Sequence, residues 1–141
     1  MINNNFEKKL KSKEFVFTAE TSPPDSTVRS EITDRVLCLK DLADAINVTD
    51  GASAKSHLSS LVVSSIIKDI EIEPILQLTT RDRNRIAIQS DLLGAWTLNI
   101  QNILCIYGDQ VETGDQPETK EVRDLDLSLI HISEPTRPST I

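Results

Sequence analysis

The chain has 141 residues, 38% hydrophobic and 26% charged, with a formal charge of −7. These are ordinary proportions for one globular domain or part of one. The acidic balance disfavours a nucleic-acid partner, whose phosphates need a basic face, and disfavours docking on an anionic membrane. No apolar run approaches the ~20 residues of a membrane helix. The stretch Met1–Lys9 has no hydrophobic signal core. Cys38 and Cys105 fall in a helix pattern and a strand pattern. No disulfide framework is expected, and a reducing cytoplasm fits.

Residues 1–14 are polar and lysine-rich and read as an N-terminal arm, a short helix or frayed segment. Phe15-Val16-Phe17-Thr18-Ala19 reads as a buried strand that ends on a carboxylate, Glu20. Pro23 and Pro24 then cannot continue a ladder. Asp25-Ser26-Thr27 offers N-cap side chains. Ile32, Val36, Leu39 and Ala43 follow at one-face helix spacing, with Glu31, Arg35, Lys40 and Asp41 opposite. Ala45–Asp50 is the second strand, broken by Gly51. Ser53 is placed to cap a second helix over Ala54–Asp69, with Leu58, Leu61, Val62 and Ile66 inward. Glu73–Thr80 is the third strand. Arg81–Arg85 opens a third helix with Ile88, Leu92, Ala95 and Trp96 as its apolar face. Asn102–Asp109 is the fourth strand, and residues 110–121 form a polar loop.

Strict alternation of strand and helix implies a parallel sheet with right-handed crossovers. The polar strand ends at Glu20, Thr49-Asp50, Thr79-Thr80 and Asp109 recur about every 30 residues, the length of one β/α unit. In barrels and open α/β sheets, that edge is where ligands bind. The last stretch, 127–141, follows no period. It resembles an in-frame translation of a transposon-type sequencing-library adapter, which would make it a non-native tail; an ordinary disordered tail is the alternative.

The strand ends carry a family resemblance from about Phe15 to Asp126. Ala19-Glu20-Thr21-Ser22-Pro23-Pro24, Val48-Thr49-Asp50-Gly51-Ala52, Gln77-Leu78-Thr79-Thr80 and Tyr107-Gly108-Asp109 stand in order at barrel-unit spacing. Together they resemble the methylenetetrahydrofolate reductases, flavin-dependent (β/α)8 barrels of one-carbon metabolism. The implied fold is α/β, the first half of a TIM barrel, with four parallel strands over 15–126. Gln77 stands where the family pattern has histidine, Tyr107 where it has arginine, and Asp50 where it has tyrosine. These departures, with Arg81-Asp82-Arg83-Asn84-Arg85 and Gly114-Asp115-Gln116-Pro117-Glu118, resemble a branch in which the reductase is sometimes fused to a homocysteine methyltransferase domain.

The resemblance implies reduction of 5,10-methylenetetrahydrofolate to 5-methyltetrahydrofolate. Hydride passes from NADH or NADPH to FAD and on to the folate's methylene carbon. It assigns the proton for the opening folate ring to Glu20, and a carboxyl at an apolar strand's rim would be partly desolvated, which raises its pKa. An isolated strand-end glutamate more often caps a loop or pairs with an arginine; four motifs in order favour the catalytic reading. Asp109, after the turn at Gly108, would accept from the pterin's amino and ring N–H groups and lie near the flavin. Thr49 and Gln77 would bond the flavin. Tyr107 would pack on it or merely fill the barrel.

Arg81, Arg83 and Arg85 either bind a phosphate at a helix N-terminus or form a solvated helix start, the commoner case. His57 has no ligand partner at metal spacing, so no metal is expected. No glycine-rich dinucleotide fingerprint is present. The competing readings are a non-flavin (β/α)-barrel lyase or methyltransferase, and a non-catalytic piece. A homo-oligomeric parent is left open.

Overall fold

A computed structural model describes residues 5–126. Helix α1 (Asn5–Ser12) precedes strands β1 (Thr18–Thr21), β2 (Ala45–Val48), β3 (Pro74–Thr79) and β4 (Asn102–Ile106). Between the strands run helices α2 (Arg29–Leu37), α3 (Ser60–Asp69) and α4 (Arg85–Thr97). Every strand pair is parallel, and the sheet order follows the chain, β1-β2-β3-β4. Each helix returns the chain to the same edge and adds the next strand on the same side. That is the first half of a (β/α)8 barrel.

The register separates two faces. Ala19 is level with Ile46, Val48 with Leu76, and Leu76 with Ile103. These residues, with Leu78, pack against Ile32 and Val36 of α2, Val63, Ile66 and Ile67 of α3, and Ile88 and Ala95 of α4. Alternation along each strand then puts Glu20, Asn47, Ile75, Gln77 and Leu104 on the opposite, inner face. All the helices that cross over lie on one face, so the other carries a mixture of polar and apolar side chains.

Several boundaries differ from the sequence expectation. Phe15 and Phe17 are not in a buried strand: β1 begins at Thr18, and the two rings are 86% and 54% exposed. They precede the sheet at its amino edge, where β1 has only β2 beside it. Helix α2 stops at Leu37, so Leu39 packs on the core from a turn and Ala43 follows the helix. Its N-cap is Val28, whose side chain has no atom that can cap, and the Ser26 hydroxyl instead accepts from the Val28 N–H and donates to Glu31. Helix α3 starts at Ser60, not Ala54; a 3-10 turn, Ala52–Ala54, occupies the earlier stretch, and Ser53 caps nothing. Val62 points outward and Val63 and Ile67 inward, since β-branched residues fill both faces of that helix. Trp96 is likewise exposed on α4. The stretch 127–141 lies outside the described residues.

The arm is pinned beneath the sheet. Phe6 is buried, Lys9 donates to Asp44 Oδ1, and the Phe17 N–H donates to Asp44 Oδ2 at 3.0 Å. The Lys9 bond, then the Phe17 bond, hold the Asp44 carboxyl below its ordinary 3.8. A depressed folded pKa contributes stability above 3.8 that is lost as pH falls through the lower folded value. Denaturant melts should therefore show Asp44→Asn less stable than wild type at neutral pH, with the gap closing as pH drops below 3.8. A gap that persists in acid would remove Asp44 ionisation as its cause.

Candidate functional site at the carboxyl edge

Parallel strands deliver all four strand ends to one edge. On the inner face there, Gln77 is 8% exposed and its Nε2 donates to Glu20 Oε2 at 3.4 Å, reaching diagonally past β2. Glu20 itself is exposed. The desolvation expected for it is not present in this chain, because β1 has no strand on its outer flank. Thr49, one residue past β2, is buried on the same face and donates through Oγ1 to Ser22 Oγ at 3.1 Å.

Asp50 has the opposite parity and turns to the helix side. Its carboxylate accepts from Ser60 Oγ at 3.1 Å, the Thr79 N–H at 2.8 Å and Arg83 Nη1 at 2.6 Å. Arg83 also donates to Asp91 at 2.9 Å and to the Thr79 carbonyl at 3.2 Å. Burial lowers the Arg83 pKa, but Asp50 and Asp91 outweigh it and leave the guanidinium's affinity for its proton raised. Arg81 is 4% exposed, binds Asp82 through two nitrogens at 2.7 Å and donates to the Asp109 carbonyl at 3.0 Å. Arg85 pairs with Asp124. Arg81 and Arg83 are thus partnered within the fold, whereas Arg85 is exposed at the solvated start of α4. Asn84, rather than an arginine, caps α4, accepting from the Ala87 N–H at 3.0 Å.

The fourth strand end is held by its neighbours. Tyr107 lies under the Arg123 guanidinium, 3.7 Å from the ring centroid, and its carbonyl accepts from Thr79 Oγ1 at 3.2 Å. Gly108 has φ +89, and a Cβ there would collide with Thr79 Oγ1. Asp109 Oδ2 accepts from the Ser53 N–H at 2.7 Å, which fixes the turn after β2 against the loop after β4. Ser53 and Ala54 in that turn hold left-handed backbone, φ 57 and 53.

The structure therefore joins Glu20 to Gln77 directly, sets Thr49 on the same face, and places Gly108 and Asp109 on the same edge. The sequence reading missed the cluster of Asp50, Ser60, Thr79 and Arg83. Its signal was an acid directly after a buried strand, at helix-facing parity, with arginines after the next strand. Among the described residues, no three His, Cys, Asp or Glu side chains are grouped to hold a metal, and no helix is long and apolar enough to cross a membrane.

A family model described as methylenetetrahydrofolate reductase matches residues 5–133. The chain belongs to the methylenetetrahydrofolate reductase family. No curated protein matches the chain. Membership makes the carboxyl edge of this sheet part of a folate-related oxidoreductase, and the match runs through all four strand ends. A glycine inside α4 and the glycine at the carboxyl edge after β4 behave oppositely. Gly94 sits in α4, where a Cβ would meet only Leu61 Cδ2 at 3.6 Å. Gly94→Ala should stabilise the chain by about 0.4–1 kcal/mol. Gly108→Ala should cost about 1–3 kcal/mol from backbone conformation alone, with the collision added. Urea melts of the two variants check the contrast; a Gly108→Ala no less stable than wild type would show that the turn after β4 is not held against Thr79.

Proposed function

We propose that this chain supplies the first half of an FAD-dependent oxidoreductase that reduces 5,10-methylenetetrahydrofolate to 5-methyltetrahydrofolate with NAD(P)H as donor. Family membership supports this reading, and the observation that carries it beyond the family is the Glu20–Gln77 pair on the inner face. A parent fused to a homocysteine methyltransferase domain belongs to the same proposal.

The residues present suit one end of a flavin. Gln77 is buried yet keeps its amide oxygen as an acceptor after its nitrogen donates to Glu20. Thr49 adds a hydroxyl on the same face, and Gly108 turns tightly with no side chain in the way. These three, with Tyr107 and Asp109, would hold the cofactor, which when bound would relay a hydride. Glu20 would carry the proton for the folate ring nitrogen as the five-membered ring opens. The Gln77 amide, as a donor, would orient that carboxyl. Asp109 would bind the pterin through Oδ1, since Oδ2 is engaged by the Ser53 N–H.

Four strands wall only half of an eight-stranded barrel. The chain alone is accordingly proposed to be catalytically inactive and to bind FAD below stoichiometry. Absorbance of the purified chain tests this, and one flavin per chain would overturn it. In the product of the full-length gene, Glu20→Gln should lower methylenetetrahydrofolate reduction by about 10²–10⁴-fold. NAD(P)H oxidation coupled to menadione should persist in that variant. Equal loss of both activities would remove the proton role from Glu20, and a full-length product with neither activity would sink the reductase reading.

A further inference from the structure

The turn after β2 is wound against the preference of its residues. Gly51, Ser53 and Ala54 all hold left-handed backbone, with φ of 58, 57 and 53. Glycine takes that conformation freely, but Ser53 and Ala54 hold it only where their surroundings fix it. The fixing contacts come from the loop after β4. Strand β3 lies between β2 and β4, so the loops that leave those two strands meet across its end. There Asp109 Oδ2 accepts from the Ser53 N–H at 2.7 Å. Five residues on, Gly114 ends the 3-10 turn Val111–Thr113, which is anchored by the buried Val111. A Cβ at Gly114 would collide with the Ala54 carbonyl oxygen and come within 2.9 Å of the carbonyl carbon. The φ of Gly114, −88, is open to any residue, so what requires glycine there is space.

We propose that Gly114 is a positioning residue for the folate: it lets the two turns close on each other, and the Ser53 amide held in that closure aims the Asp109 carboxylate. The inference rests on the proposed reductase chemistry, in which Asp109 binds the pterin. An uncharged donor suits the task. It fixes one carboxylate oxygen and leaves the negative charge to attract the pterin's amino and ring N–H groups. Arg81, beside Asp109, is kept from neutralising that charge. It directs two nitrogens to Asp82 at 2.7 Å and meets Asp109 through the backbone carbonyl, at 3.0 Å. His57 supports the turn from its other side, with Nε2 3.2 Å from the Ala52 carbonyl oxygen.

Steady-state kinetics of the full-length gene product test it. Gly114→Ala should raise KM for methylenetetrahydrofolate about tenfold, the scale of one hydrogen bond to a charged group. NAD(P)H oxidation coupled to menadione should stay near wild type. Equal loss of both activities would show a merely structural role and overturn the proposal. A wild type that reduces no folate sinks the reductase reading and this role with it. A wild type that does, beside a Gly114→Ala of unchanged KM, sinks this role alone.

A double-mutant cycle then asks whether Gly114 acts through Asp109. Added to Asp109→Asn, Gly114→Ala should raise KM little further, because the group it positions is already changed. A second rise of about tenfold on top of Asp109→Asn would make the two residues independent and contradict the proposal. Should Gly114→Ala fail to fold, hydrogen exchange of the Ser53 amide decides. It should be faster in Asp109→Ala than in wild type, and an equal rate would overturn the tether and the role built on it.

Discussion

One buried carboxylate holds the carboxyl edge together. Strand β2 ends at Val48, so no β2 carbonyl remains opposite Thr79 at the far end of β3. Asp50 takes that place with its side chain, accepting the Thr79 N–H at 2.8 Å. The same group binds Ser60 at the start of α3 and Arg83 ahead of α4. It therefore joins two strand ends and two helix starts. A charge this deep is tolerated only because its partners are complete; removing one partner of a buried pair typically costs about 3–5 kcal/mol.

The side chains of the candidate site inherit their places from that clasp. Thr79, fixed through its N–H and its carbonyl, presents Oγ1 to the Tyr107 carbonyl and excludes any Cβ at Gly108. Asp109 follows directly and is tied back to Ser53. Two residues before Thr79 on β3, Gln77 reaches Glu20 on the inner face. Strand parity decides the division of labour: Asp50 and the arginines build the edge from the helix side, and Thr49, Gln77 and Glu20 meet on the other.

Much of this was legible from residue order. The alternation of apolar runs and amphipathic segments indicated a parallel sheet, and the strand-end motifs indicated the family. What the sequence hid was set by partners far along the chain. Phe15 and Phe17 look like strand core, but nothing in their own stretch shows that the ladder starts after them. Val62 and Trp96 fit an inward helix face by spacing, yet adjacent positions, Val63 and Ala95, are the ones that pack. The arginines at 83 and 85 gave no hint of their partners, because Asp50 lies 33 residues before Arg83 and Asp124 lies 39 after Arg85. Glu20 was expected to be desolvated, a property that needs walls on both sides of β1.

Amide hydrogen exchange at Thr79, measured in the wild-type chain and in Asp50→Ser, tests this account most directly. The account predicts that the wild-type Thr79 amide is protected as well as the paired amides of β3, and that the substitution selectively speeds its exchange. A Thr79 amide that exchanges at loop rates in the wild type, or one equally protected in the variant, would contradict it.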